Sequence, residues 1–232
     1  MEPDLVENLR AVGAAIAESE RKSGRSAGSV ELVAVSKTHP VEVIRQAVDA
    51  DQVLFGESRV QEAKAKIPDL PAKLRWHLIG HLQSNKIRQA LPLFEMIHGV
   101  DSLELLEDIQ RIANELGLFP RVLLQVNVAG ESSKFGFPPE KLVAQVERIT
   151  RAHRVQVEGL MTIPPIAANP ENSRKHFVVL RDLRDRLEKE FRFSLPHLSM
   201  GMSADYRVAI EEGATLVRVG TAISGERSAK RL

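Results

Sequence analysis

The residue best placed to do chemistry in this sequence is a lysine at the end of an apolar run. Lys37 closes the run VELVAVSK, so its side chain is expected at the carboxyl end of a strand. An amine that is partly removed from water keeps a fraction of free base, which attacks an aldehyde and forms a Schiff base. The competing interpretation is a lysine whose stem lies along the strand while its ammonium group extends into solvent.

Two loops near the C-terminus have the composition of phosphate-binding turns. The first, SMGMSAD, contains Met200, Gly201 and Ser203, and we expect Ser203 to cap a helix that begins just after it. The second, GTAISG, begins with Gly220 and Thr221. Unpaired N–H groups at helix starts attract anions such as phosphate. Capping alone explains either loop, but two such loops at the same mouth as the lysine favour a phosphate ligand.

Other candidate residues indicate less specific chemistry. His77 and His81 could suggest a metal, but HLIGH lacks the acidic residue of H-E-x-x-H and contains a glycine, so no metal site is predicted. Asn127 and Arg218 lie at strand ends, where they contact a ligand or fill a barrel interior. The sequence has no cysteine, P-loop, G-x-G-x-x-G fingerprint or nucleophile elbow. Thiolate chemistry is therefore excluded, and nucleotide binding through those motifs is unsupported.

The elements that must position these residues alternate along the whole chain. Short apolar runs, several of them continuous and rich in β-branched residues, are typical of buried parallel strands. Amphipathic stretches between them predict helices, and an additional helix is expected from about Asp4 to Lys22. Helix starts are expected at Asp101-Ser102 and Asn169-Pro170, and a helix end at Gly117. The predicted strands are 30–37, 52–56, 74–80, 94–100, 121–128, 155–161, 196–201 and 215–220.

Eight alternating units in 232 residues predict a single (β/α)8 TIM-like barrel with an extra N-terminal helix. A doubly wound open sheet is the structural alternative. No linker-like or low-complexity segment interrupts the pattern, so we expect one domain over residues 1–232. Because barrel active sites lie at the carboxyl ends of the strands, the polar residues that follow the predicted strands are expected at one mouth.

Charge and terminal sequence restrict the expected environment. The formal net charge is +1, without the excess of basic residues that is typical of nucleic-acid-binding proteins. The N-terminal segment is charged throughout, unlike a secretory signal, and no apolar run approaches the roughly 20 residues that span a bilayer. We therefore expect a cytoplasmic monomer without nucleic-acid or membrane partners.

Seven segments together resemble the pyridoxal phosphate homeostasis protein family, also called the YggS/PROSC family. The barrel of that family is similar to the N-terminal barrel of alanine racemase. The segments span nearly the whole chain in the order of the family, and together they are highly specific. They are AVSKTHP at 34–40, FGESRVQEAKAK at 55–66, WHLIGHLQSNK at 76–86, QVNVAGESSKFG at 125–136, GLMTIPP at 159–165, LSMGMSAD at 198–205 and VRVGTAISGER at 217–227.

The resemblance implies a cofactor and the residues that hold it. Pyridoxal 5′-phosphate (PLP) is expected to form a Schiff base with Lys37. The phosphate-binding residues are expected to be Ser203, Gly220 and Thr221, with the neighbouring Met200 and Gly201.

Two further cofactor contacts follow from the resemblance. Arg218 is expected near the pyridine nitrogen, where a cation disfavours protonation of that nitrogen and makes the ring a poorer electron sink. Ser58 stands where the family usually has Asn in a GEN motif, so the contact at this position is expected to differ. The competing role for Ser58 is to cap the helix that follows.

The function implied is to carry or buffer PLP and to regulate cofactor and amino-acid or keto-acid balance without strong turnover. PLP-dependent apo-enzymes are the expected partners, and no catalytic residue is assigned. One alternative is a weak amino-acid racemase. However, related racemases take a second base from an additional domain, which we expect to be absent, and the only tyrosine, Tyr206, is poorly placed as a base. Another alternative is an aldolase that uses Lys37 directly on a sugar phosphate.

Overall fold

Eight parallel strands close into a barrel in the computed structural model, which describes residues 4–131 and 134–225. The strands are β1 Glu31–Val35, β2 Leu54–Glu57, β3 Arg75–Leu78, β4 Met96–Val100, β5 Arg121–Gln125, β6 Gln156–Met161, β7 His197–Ser199 and β8 Leu216–Val219. Neighbours in sequence pair with each other, and β8 closes the barrel against β1, with Val33 opposite Arg218. The predicted (β/α)8 barrel is therefore confirmed over the open sheet.

Helices connect the strands on the outside of the barrel, and the boundaries predicted at Asp101-Ser102, Asn169-Pro170 and Gly117 are confirmed. The Ser102 hydroxyl accepts from Leu105 N at 3.1 Å, Asn169 Oδ1 accepts from Glu171 N at 3.0 Å, and Gly117 ends its helix with φ 68°. The helices are α1 Leu5–Lys22, α2 Val41–Asp49, α3 Val60–Lys66, α4 Ile87–Ala90, α5 Leu103–Leu116, α6 Pro139–Thr150, α7 Glu171–Phe191, α8 Tyr206–Glu211 and α9 Thr221–Ser224.

The helix after β3 is shorter than its amphipathic pattern predicts. The segment 84–94 contains a 3-10 turn, Ser84–Lys86, and then only the four residues of α4. Pro92 follows directly and cannot continue a helix, because its nitrogen has no hydrogen to donate and its ring restricts the residue before it. Within the described ranges, no helix is long and apolar enough to cross a membrane.

The additional N-terminal helix, α1, fastens onto the last unit of the barrel. The Asp4 carboxylate accepts from Val6 N and Glu7 N at 3.0 and 3.2 Å, which satisfies two unpaired donors at the helix start. The helix packs against α8 and α9, and Asn8 Nδ2 donates to Ile223 O at 2.9 Å. The predicted helix is confirmed, and it holds the short α9 in place beside β8.

Apolar side chains form two layers because successive strand residues point to opposite faces of the sheet. The larger layer lies between the strands and the surrounding helices and contains Phe55, Phe177 and Leu187. The smaller layer fills the barrel interior with Val33, Leu54, Met96, Leu123, Met161 and Leu216.

Ion pairs cover the amino ends of the strands. Arg75 bridges Glu31 and Glu95 at 2.6 and 2.7 Å, and Arg121 bridges Glu95 and Glu158 at 2.7 Å each. This end of a barrel is associated with stability, whereas the opposite end carries chemistry. The functional site is therefore expected at the carboxyl ends, where Lys37 lies.

Candidate functional site

Lys37 lies two residues beyond β1 at the mouth of the barrel. Its side chain is half-buried and makes no hydrogen bond or ion pair with any residue in 4–131 or 134–225. The loop that contains it packs against the loop after β8. A Cβ atom on Gly220 would lie 3.2 Å from Val35 Cβ, and His39 Nε2 is 2.9 Å from Ser224 Oγ. An amine with no partner in the described part of the chain therefore lies beside one of the two predicted phosphate loops.

The two phosphate-type loops are joined through one hydroxyl group. Ser203 Oγ accepts from Gly220 N at 3.1 Å and from Ala222 N at 3.2 Å. Two backbone N–H groups at the start of α9 thus converge on a single oxygen from the loop after β7. Since the hydroxyl accepts both bonds, its own hydrogen remains available to an acceptor such as a phosphate oxygen.

The prediction that Ser203 caps its own helix is wrong. The helix after β7, α8, begins at Tyr206, and Asp205 occupies the position before it. Asp205 Oδ1 accepts from Met202 N at 2.8 Å and so closes the turn that contains Ser203. Because the charged carboxylate makes this local bond, the Ser203 side chain is free to reach across to β8.

The remaining residues of these loops have different roles. Gly201 has φ 91°, and a Cβ there would lie 2.6 Å from Ala209 Cβ, so only glycine fits this close approach to α8. Thr221 is exposed, and its hydroxyl has no partner among the described residues. Met200, by contrast, is fully buried in the larger apolar layer. Its side chain is not brought to the mouth, although its backbone belongs to the loop.

Arg218 is buried inside the barrel below this mouth. Its guanidinium group donates to Ser199 Oγ and to Thr162 O, the latter at 2.9 Å. Burial lowers the pKa of Arg218 to about 10, opposed by the charge of Asp205. The guanidinium makes no ion pair with any described residue, and an unpaired buried cation is costly, so this residue is a candidate for ligand binding.

Two buried histidines continue the polar contacts of Arg218 across the barrel interior. Ser199 Oγ is 2.9 Å from His98 Nδ1, and His98 Nε2 is 3.0 Å from His77 Nδ1. Burial lowers the pKa of His77 to about 4 and lowers that of His98 well below its ordinary value. Both rings are therefore neutral near pH 7, and they support the hydroxyl group that contacts the guanidinium.

His77 and His81 lie in different environments. His77 is buried in the barrel, whereas His81 lies at the surface, with Nδ1 2.9 Å from Asp101 Oδ2 and its ring stacked on Phe135 at 4.1 Å. The described residues contain no group of three or more side chains that could hold a metal ion. The HLIGH spacing therefore serves two separate packing arrangements.

The contacts of Asn127 and Ser58 show which of their expected roles each side chain has in the protein. Asn127 Nδ2 donates to Glu131 O at 2.8 Å, so this side chain organises the loop after β5. Ser58 does not cap α3, because Arg59 precedes that helix and no side chain bonds to its first turn. The Ser58 hydroxyl has no partner among residues 4–131 and 134–225.

Sequence reasoning missed several polar residues in this region. Glu57 is fully buried at the end of β2 and contacts Lys66, while His98 and Ser199 support Arg218. A signal was present: LFGE ends an apolar run with Glu57, and MIHGV places His98 inside another. Such a residue in a buried strand needs an internal partner, which marks it as a candidate for the site.

Comparison with known proteins identifies the family of this chain. The sequence profile of the family described as "Alanine racemase, N-terminal domain" matches residues 9–228. The pyridoxal phosphate homeostasis protein of Aquifex aeolicus is 44% identical over 222 residues, which cover 95% of this chain and 97% of the relative. The chain belongs to the pyridoxal phosphate homeostasis protein family.

Solved structures extend this family assignment. PipY of Synechococcus elongatus PCC7942, solved with PLP bound, superposes with a TM-score of 0.80 and is 43% identical, covering 90% of this chain and all of PipY. Alanine racemase of Clostridium difficile 630 has a TM-score of 0.74 at 18% identity and shows the shared fold alone; the match covers 97% of this chain and 57% of the racemase. Of the family segments in the sequence, Ser132-Ser133 and Glu226-Arg227 lie outside the described residues.

Proposed function

We propose that this protein binds PLP covalently through Lys37 and carries or buffers the cofactor, thereby regulating cofactor and amino-acid or keto-acid balance. The observation that carries this proposal is the Lys37 amine. It has no partner among residues 4–131 and 134–225, and it lies beside the loop whose N–H groups converge on Ser203 Oγ. An amine and an anion-binding turn at one barrel mouth fit the aldehyde and the phosphate of PLP.

The other site residues fit the remaining parts of the cofactor. Ser203, Thr221 and the backbone at Gly220 would hold the phosphate. Arg218 would lie near the pyridine nitrogen. Bound PLP supplies an electron sink, and a buried cation beside its nitrogen weakens that sink by opposing protonation. This arrangement favours retention of the cofactor over rapid turnover of amino acids.

The comparisons support the same proposal. PipY is described with PLP bound, and the Aquifex aeolicus relative is named for PLP homeostasis. We further propose that PLP-dependent apo-enzymes receive the cofactor and that the protein acts as a cytoplasmic monomer, without membrane or nucleic-acid partners.

A visible spectrum tests covalent binding directly. The purified protein, incubated with PLP and passed through a desalting column, should keep an absorption band that borohydride removes. Mass mapping should then place the pyridoxyl group on the peptide that contains Lys37. Label confined to Lys86 or Lys134 would contradict the assignment. Reaction with sugar phosphates in the absence of PLP would favour the aldolase alternative.

Turnover of amino acids separates a carrier from a racemase. Alanine incubated in heavy water with the PLP-loaded protein should show no exchange of its Cα hydrogen at rates typical of enzymes. Lys37-dependent exchange accompanied by racemisation would reject the carrier function and establish the racemase alternative.

The phosphate contacts are expected to be separable from covalent binding. Ser203→Ala or Thr221→Ala removes a hydroxyl that can donate to a charged oxygen, a loss of roughly 1.5–3 kcal/mol. PLP affinity should then fall about ten-fold or more, while pyridoxal, which lacks the phosphate, should bind almost unchanged. Equilibrium titrations with both ligands provide the measurement. Thr221→Ser keeps the hydroxyl and is the matched control, and equal losses for both ligands would mean that these residues serve only the loops.

Ser58→Asn is expected to slow the release of PLP. The serine hydroxyl has no partner among the described residues, and asparagine offers a longer group with both a donor and an acceptor. One additional neutral hydrogen bond contributes ~0.5–1.5 kcal/mol, or up to about a ten-fold slower release. Stopped-flow transfer of PLP to an apo-enzyme measures the rate. An unchanged rate together with a lower melting temperature of the PLP-free protein would eliminate the cofactor role.

A further inference from the structure

Lys66 holds the backbone immediately before Lys37. Its ammonium group lies 3.1 Å from Ser36 O, the carbonyl of the peptide bond that joins Ser36 to Lys37. The Ser36 hydroxyl in turn donates to Glu57 Oε1 at 2.8 Å. Two polar groups of the residue before Lys37 are thus fixed by side chains from β2 and α3.

The backbone immediately after Lys37 is held as well. Thr38 has φ 67°, a left-handed conformation that is unfavourable for a residue with a Cβ atom. Its N–H donates to Glu62 Oε2 at 2.9 Å, which favours this strained turn over an extended one. Lys37 therefore projects from a turn whose two neighbouring residues are both hydrogen-bonded to one cluster, Glu57, Glu62 and Lys66.

Within this cluster Lys66 binds both glutamates. Lys66 Nζ lies 2.8 Å from Glu57 Oε1 and 3.3 Å from Glu62 Oε2. With Ser36 O as the third acceptor, each of the three N–H bonds of the ammonium group has a partner. The Lys66 side chain is 12% exposed and that of Glu57 is 0% exposed, so these contacts are largely shielded from water.

Burial makes this cluster sensitive to the loss of one member. Burial raises the pKa of Glu57, against the hydrogen bond and charge of Lys66. Partial burial also acts to raise the pKa of Glu62, but the bonds from Thr38 N and Lys66 hold it below its ordinary value. Glu57 Oε2 is buried and has no hydrogen-bond partner among the described residues, so Oε1 makes the contacts that hold this carboxylate to Ser36 and Lys66.

We propose that Glu57, Glu62 and Lys66 determine which lysine forms the Schiff base. The cluster positions the turn that presents the Lys37 amine, and it engages all three hydrogens of the Lys66 ammonium group, which holds that group away from an aldehyde at the mouth. The inference rests on the proposed covalent binding of PLP at Lys37. It assigns positioning and selection to three residues that act through the backbone on either side of Lys37.

Replacement of single members of the cluster tests this selection. Glu62→Gln leaves Lys66 with weaker acceptors and loosens the bond to Thr38 N. After incubation with PLP and borohydride, part of the pyridoxyl label should move from the Lys37 peptide to the Lys66 peptide, and Schiff-base formation at Lys37 should slow by about ten-fold, as for one lost charge-assisted bond.

Lys66→Met removes the competing amine, so label should remain only at Lys37 and form slowly, while Lys66→Arg, which keeps the donors, should restore the rate. Glu18→Gln breaks an exposed Glu–Lys pair of the same i,i+4 spacing at 2.7 Å and is the matched control.

The outcomes separate this inference from the proposed function. If wild-type protein carries no label at Lys37, the proposed function fails. If wild type is labelled at Lys37 and both Glu62→Gln and Lys66→Met match it in rate and position of labelling, the cluster is only structural and the inference is overturned, whatever the change in melting temperature. The Glu62 side chain is 26% exposed, so folded protein is expected for Glu62→Gln, and Lys66→Arg keeps a cation beside the buried Glu57.

Discussion

Replacing Lys37 by methionine is expected to abolish covalent retention of PLP. Methionine has a similar length but no amine, so no Schiff base can form, and the site keeps only its contacts with the phosphate and the ring. Desalting should then release the cofactor, borohydride should fix no pyridoxyl group, and the remaining affinity should be weaker by about 100-fold or more, equivalent to ~3 kcal/mol. Visible absorbance after desalting and intact mass after borohydride measure both effects.

Lys73→Met is the matched control for this experiment. Lys73 is exposed and lies just before β3, at the amino end of the barrel and away from the mouth. This variant should bind PLP like the wild type. Retention of a borohydride-stable adduct by the Lys37 variant would mean that another lysine carries the cofactor and would refute the central assignment.

The barrel itself could be predicted because local pattern and topology agree. Continuous β-branched runs such as VELVAV leave little choice but a strand buried on both faces, and eight of them separated by amphipathic segments close into a barrel. That closure places Lys37 and the loop that starts at Gly220 at neighbouring strand ends, since β1 pairs with β8. The position of the site thus follows from the order of the strands, without knowledge of any side-chain contact.

Side-chain partners could not be predicted in the same way, because they depend on distances between segments that are remote in sequence. Ser203 was expected to cap the helix beside it, but it accepts from Gly220 N and Ala222 N, 17 and 19 residues away. His98 contacts Ser199 across 101 residues. For Ser203, the neighbouring Asp205 makes the local bond to Met202 N instead. For His98, a buried ring needs a partner from a distant segment. The sequence shows the need for a partner but not which residue provides it.

Acidification between pH 6.5 and 4 is expected to destabilise the protein through its buried histidines. Burial lowers the pKa of His77 from its ordinary value of 6.5 to about 4, so the unfolded chain binds a proton in this range that the folded chain does not. The contribution of His77 to the free energy of unfolding is therefore fully present above pH 6.5. It declines as the pH falls, by about 1.4 kcal/mol per pH unit. The loss reaches about 3 kcal/mol at pH 4 by the same relation, and His98, whose pKa lies well below its ordinary value, adds in the same direction.

His77→Asn isolates this contribution from the carboxylates that titrate in the same range. The asparagine Oδ1 can take the place of His77 Nδ1 and accept from His98 Nε2, which preserves this hydrogen bond, 3.0 Å long in the wild type. Unlike histidine, asparagine does not gain a proton in this pH range. The variant should be less stable at pH 7, because a buried ring is replaced by a smaller side chain. Its free energy of unfolding, measured by urea titration at several pH values, should nevertheless fall less steeply below pH 6.5 than that of the wild type. Parallel curves for the two proteins would show that His77 does not titrate on unfolding, and the neutral His77–His98 pair could then not be the support on which Ser199 and the Arg218 guanidinium depend.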